Sequence, residues 1–244
     1  MVLRRPDGPS EEAVDGPAEE GVGPPSPWPP ECDLFEPKPK DPQELAARCA
    51  GGRFIADPWV DALLPEEVRH ASLLHFTPAA IALRGAQLLT AWGARRVLDV
   101  GAGAGKFCAL VSLASELEVV GVEYRPQLVE VAKGLLRTLR CRRARILGGD
   151  ALALDWSAFD ALYFYNPFAE PDHPRGSWID QTQSFDSTHS WRATRAALEK
   201  LEPLAAGTLV LTYHGLGAQL PPSFEYLASE QHRAGALELL RKLP

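Results

Sequence analysis

From Val97 to Cys108 the chain reads V-L-D-V-G-A-G-A-G-K-F-C. Asp99 stands two residues ahead of Gly101, glycines recur at 101, 103 and 105, and Lys106 opens an apolar run. Glycines so spaced let a backbone approach a ligand with no side chain in the way. A helix starting directly after them adds free N–H groups and the positive end of its dipole. Further on, polar groups end apolar runs: Glu123 after L-E-V-V-G-V, Asp150 after A-R-I-L-G-G, Asn166 after F-D-A-L-Y-F-Y. A carboxylate such as Glu123 can accept from both hydroxyls of a ribose, and Tyr124 beside it could lie against a base ring. His214, His173 and His189 are candidate proton acceptors, because an unperturbed imidazole titrates near neutral pH.

Three ligands compete for the glycine turn. A phosphate loop needs G-x-x-x-x-G-K-[ST], but Val100 stands five residues before Gly105 and Phe107 follows the lysine. A dinucleotide fingerprint needs its third glycine at 106, where Lys106 stands. What remains, G-x-G-x-G behind an acid, resembles motif I of the class I S-adenosylmethionine-dependent methyltransferases. That resemblance implies S-adenosyl-L-methionine as cofactor, with Asp99 helping to bind its ammonium, directly or through water. The amides of the turn Gly101, Ala102, Gly103 and Gly105 would receive its carboxylate, and Glu123 its ribose. It also implies that Asp150 accepts from the adenine amino group while the Ala151 N–H serves a ring nitrogen. Asn166-Pro167-Phe168 is similar to the [DN]-P-P-[FYW] signature of methyltransferases acting on amino groups, with the second proline missing. Asn166 is therefore the candidate catalytic residue for an amino acceptor, or else it closes the cofactor pocket.

These residues need elements to hold them. The apolar runs predict strands at 96–100, 117–124, 144–150, 159–168 and 207–214. Helices are expected from Lys106, from Pro126, and over 188–203 before Pro203. Two more strands, 223–228 and 236–240, could pair antiparallel across Gly235. Thr77 as N-cap and Pro78 at the first position predict a helix over 78–92, with Ile81, Gly85, Leu88, Leu89 and Trp92 on one face. Phe76 and Thr77 are then candidates for the wall of the cleft. Alternating strands and helices predict an α/β fold: a doubly wound, mostly parallel sheet with helices on both faces. The terminal hairpin matches the seven-stranded sheet that the resemblance implies. Its domain would span 75–244, behind a helical segment at 42–74.

Residues 1–41 hold ten prolines, ten Asp/Glu and four Lys/Arg, a composition that reads as a disordered acidic tail. They carry −6 of the formal −7, so the remainder is near neutral and is expected to lack the basic stripe of a dedicated nucleic-acid enzyme. Protein or small-molecule acceptors are favoured. The four cysteines show no metal or disulfide spacing, and Cys108 reads as a small buried group. The first residues lack a secretory h-region, and no run approaches the roughly 18 apolar residues of a membrane span. A cytoplasmic location is expected. The competing functions are an NAD-dependent oxidoreductase and a non-catalytic binding module that kept the fold. The turn at 101–105, Asp150 and the terminal hairpin weigh against the first; Asp99, Glu123 and Asp150 weigh against loss of the cofactor.

Overall fold

The computed structural model describes residues 37–172, 174, 178–179, 188–232 and 235–244. The expected tail through residue 36, and His173, lie outside the described residues. Four helices come first: α1 (Pro42–Ala50), α2 (Asp57–Asp61), α3 (Glu66–Arg69) and α4 (Ser72–His75). After α5 (Ala79–Ala91) the alternation is β1 (Arg96–Val100), α6 (Lys106–Ala114), β2 (Glu118–Glu123), α7 (Pro126–Thr138), β3 (Ala144–Gly148) and β4 (Ala161–Phe164). The chain closes with α8 (His189–Leu201), β5 (Leu209–Tyr213), β6 (Phe224–His232) and β7 (Gly235–Lys242).

The seven strands form one sheet in the order β3-β2-β1-β4-β5-β7-β6. β1 to β5 pair in parallel, while β7 runs antiparallel to both neighbours. Side-chain alternation feeds two cores. Val97, Tyr163, Leu209 and Leu211 meet α5 and α6 on one face, and Leu98, Leu162, Phe164 and Val210 meet α8 and Trp156 on the other. Strand order reverses between β1 and β4, so the carboxyl ends of these strands flank the crevice where such sheets take ligands. The early helices and their connections share the first core through Leu45, Cys49, Ile55, Val60 and Leu64.

Three expectations need correction. Thr77 does not cap α5; Pro78 holds the cap position, and the Ala79 N–H donates to Asp57 Oδ1 (2.8 Å). The Thr77 hydroxyl instead meets Tyr163 Oη (3.0 Å) inside the core. β4 stops at Phe164, because Asn166 turns to φ 44° and leaves the extended region. β6 and β7 run longer than their apolar cores: in this outer hairpin Ser229 and Gln231 face outward, while half-buried Glu230 pairs with Arg84 (2.6 Å).

Candidate active site

A cavity of about 680 Å³ opens at the carboxyl ends of the parallel strands. Gly101 and Gly103 line it after β1, Glu123 and Tyr124 after β2, Asp150 and Ala151 after β3, Asn166 after β4 and His214 after β5. Leu73, Leu74 and His75 of α4 form part of the wall. Tyr165 also lines the cavity, and its hydroxyl donates to the Leu74 carbonyl (3.2 Å), tying the strand end to the helical segment. His189 lies in the same lining at the start of α8.

The turn between β1 and α6 is bonded from within. The N–H groups of Gly101 and Ala102 both donate to the Val122 carbonyl (3.0 and 2.9 Å), and that of Gly105 to the Ala102 carbonyl (2.8 Å). The Gly103 N–H donates to Glu123 Oε2 (2.9 Å). These amides are occupied, which corrects the expectation that they receive a ligand carboxylate. Glu123 Oε1 accepts from the Arg125 N–H (2.8 Å), and the Arg125 guanidinium pairs in turn with buried Glu170. Glu170 Oε1 also accepts from the Ile179 N–H (2.7 Å). One buried chain of charge thus joins the glycine turn, the end of β2 and the segment after β4.

Asp99, Ala102 and Gly105 stand behind the cavity wall rather than in it. Asp99 is 3% exposed and accepts from the Cys108 thiol (Sγ to Oδ2 3.2 Å). Burial, with the Glu123 charge adding to it, pushes its carboxyl up to about 7. A Cβ on Gly105 would lie 2.9 Å from Ala132, so this glycine lets α7 close on the turn. Phe76 packs its ring against Gly103 and is buried outside the lining. Burial raises the carboxyl of Glu123 despite the donors around it, and lowers His214, which keeps that imidazole neutral at pH 7.

The sequence reading missed Lys106. Its side chain is 1% exposed, and its ammonium donates to Asp57 Oδ1 (2.7 Å), Asp61 Oδ1 (2.8 Å) and Ser72 Oγ (3.0 Å). The first residue of α6 therefore anchors α2 and α4 over the turn. Asp57 and Asp61, four apart in a short acidic helix, were a signal only in retrospect, because their partner lies far along the chain.

Residues 93–235, more than half of the chain, match the family model described as a methyltransferase domain. This chain belongs to that family. Among solved structures it is similar to a candidate O-methyltransferase from Klebsiella pneumoniae, at 17% identity over 82% of this chain and 96% of that one, with a TM-score of 0.52. It also matches an RNA methyltransferase from Salinibacter ruber in complex with S-adenosyl-L-homocysteine (15% identity, 68% and 93% covered, TM-score 0.47). A cofactor-bound protein from MTB is a third match (18%, 81% and 88%, TM-score 0.48). No curated protein matches the chain by sequence. The seven-stranded sheet with its reversed β7 is the fold of the class I methyltransferases, which use S-adenosylmethionine.

The residues of this methyltransferase fit that cofactor. A Cβ on Gly101 would lie 2.8 Å from Pro167 Cβ, and one on Gly103 3.0 Å from the Phe76 ring, so the turn stays flush with the wall only as glycine. Glu123 and Asp150 both bring carboxylates to the wall, and Asp150 Oδ1 caps the next turn through the Leu152 N–H (2.8 Å), an acceptor set compatible with a ligand bearing hydroxyl and amino groups. The cavity volume suits a ligand of this size, since such pockets span roughly 300–1,000 Å³. No group of His, Cys, Asp and Glu that could hold a metal occurs among the described residues. No helix among them is long and apolar enough to cross a membrane.

Proposed function

We propose that this methyltransferase modifies an amino nitrogen of a protein or small molecule held at Asn166. Its setting would be cytoplasmic, where the thiols of Cys49, Cys108 and Cys141 stay free as they are in the structure. The conformation of Asn166 carries the reading. It sits at φ 44° just past β4 and lines the cavity, followed by Pro167, whose Cβ crowds Gly101. Asparagine tolerates the left-handed region better than most residues, and the position fixes an amide in the cavity wall next to the glycine turn. When bound, S-adenosylmethionine supplies an electrophilic methyl on its sulfonium. Glu123 and Tyr124 would hold the ribose and adenine face, and Asp150 with the Ala151 N–H the adenine edge. Asp99, behind the turn, would favour the cofactor's ammonium through its field in the ionised form, which the incoming cation itself promotes. The Asn166 side-chain oxygen accepts from the acceptor –NH2 and leaves its lone pair directed at the methyl. His214, neutral and in the same cavity, is a group able to take the proton that the methylated nitrogen gives up.

The test is transfer of labelled methyl from S-adenosylmethionine to a cell extract, fractionated by molecular class and analysed for N- against O-methyl products. Asn166→Ala should lose about 10²-fold or more in transfer while S-adenosylhomocysteine affinity stays within about threefold. Label on oxygen or in nucleic acid, or full transfer by the variant, refutes the reading.

A further inference from the structure

The near-neutral charge of the body conceals a local concentration. Arg137, Arg140, Arg142, Arg143 and Arg145 fall within nine consecutive residues, from the last turn of α7 into β3, the edge strand of the sheet. All five are exposed. Arg143 pairs with Glu116; the other four have no ionic partner among the described residues. The cluster begins at the opposite end of β3 from the cavity, because Arg143 and Arg145 sit at its start and Gly149 and Asp150 follow its end. It has no part in the methyl-transfer site.

The chain enters α1 at the same place. Gln43 Nε2 donates to the Thr138 carbonyl (2.9 Å), one residue past Arg137 and two before Arg140. The sequence before that point is strongly acidic: residues 1–36 hold nine Asp/Glu and two Lys/Arg. Glu31, Asp33 and Glu36 stand nearest to the entry, and Glu36 is seven residues before Gln43, at most about 25 Å of chain.

We propose that the arginine cluster is the docking site of this chain's own acidic N-terminal segment, residues 1–36. An outside polyanion must then compete with the segment for it. Single exposed ion pairs are weak and screened by salt. Several acids tethered beside four unpartnered guanidiniums face them at an effective concentration on the order of millimolar, so occupancy needs neither high intrinsic affinity nor one fixed conformation. Arginine suits the role because its planar fork takes a carboxylate through two parallel N–H bonds.

The test uses the full chain with a spin label on Cys32. Cys49 and Cys108 are buried, and half-buried Cys141 is replaced by alanine. Docking predicts broadening of the backbone amides of residues 137–147 at about 50 mM salt that disappears at about 500 mM. Arg140→Glu/Arg142→Glu should abolish it at low salt, and Arg140→Gln/Arg142→Gln should weaken it, with the melting temperature unchanged in both. In a second measurement, Glu31→Gln/Asp33→Asn/Glu36→Gln should bind a labelled single-stranded oligonucleotide roughly tenfold tighter than the unmodified chain, because its internal competitor is weakened. Absent broadening, or broadening that survives salt or charge reversal, overturns the proposal. Equal oligonucleotide affinity in the two chains also overturns it, and if that affinity is tight it assigns the cluster to nucleic acid.

Discussion

Replacing Glu123 by glutamine tests the link between the glycine turn and the cofactor. Both carboxylate oxygens are engaged before any ligand arrives, by the N–H groups of Gly103 (2.9 Å) and Arg125 (2.8 Å). The amide keeps one acceptor oxygen and turns its NH2 toward the other N–H. One hydrogen bond to a charged acceptor is lost, worth about 1.5–3 kcal/mol. Burial raises the Glu123 carboxyl, so its ionised form bears a desolvation cost that the neutral amide relieves. The net loss should be about 1–2 kcal/mol, lowering the melting temperature of the free enzyme by about 3–8 °C. Binding loses one charged acceptor for the ribose as well, so S-adenosylhomocysteine affinity should fall about 10- to 150-fold. Thermal melts by circular dichroism and calorimetric titration read the two effects separately. A lowered melt with unchanged affinity removes Glu123 from the ribose and leaves it as the pin of the turn. If neither quantity moves, the bonded arrangement of the turn is itself wrong.

Three further outcomes are expected. Gly103→Ala places a Cβ 3.0 Å from the Phe76 ring at φ 54°; it should cost about 1–2 kcal/mol in urea denaturation and weaken S-adenosylhomocysteine, and native behaviour in both removes the close approach from the argument. Lys106→Met leaves Asp57 and Asp61 without their shared cation; because Asp57 is 36% exposed the loss should be about 2–4 kcal/mol, and hydrogen exchange should show residues 57–75 opening first. Full protection of that segment in the variant would falsify the anchoring role. Asp99, held up to about 7 against an unfolded value near 3.9, keeps a proton that the unfolded chain has released; its contribution to the stability of the free enzyme therefore falls as pH rises from about 4 to 7 and is flat above. Melts of Asp99→Asn across that window should lack this slope, and parallel curves for variant and parent would contradict it.

Much of this enzyme was legible in one dimension, because its signals are local. The apolar run ending in Glu123 and the glycines at 101, 103 and 105 follow from burial on both faces of a parallel sheet and from backbone sterics, while the edge strand before Asp150 showed itself only by its short I-L core between turn residues. The reversed terminal strand was visible as two runs with no helix between them. What only the tertiary structure decided depends on groups far apart in the chain. Lys106 meets Asp57 and Asp61 across 45 and more residues, and no periodicity marks a buried charge whose partner lies on another element. Asp57 rather than Thr77 accepts the first N–H of α5 for the same reason. The turn amides were expected to be free because a glycine motif shows nothing of what folds against it; the Val122 carbonyl and Glu123 reach them only once β1 and β2 are paired. Leu73 and Leu74 belong to no amphipathic stripe, and they became part of the cavity wall when Lys106 drew α4 over the turn. Spacing along the chain fixes which residue types recur on an element, while the partner of a buried charge or amide is set by the packing of elements, which minimises unpaired polar groups across the whole molecule.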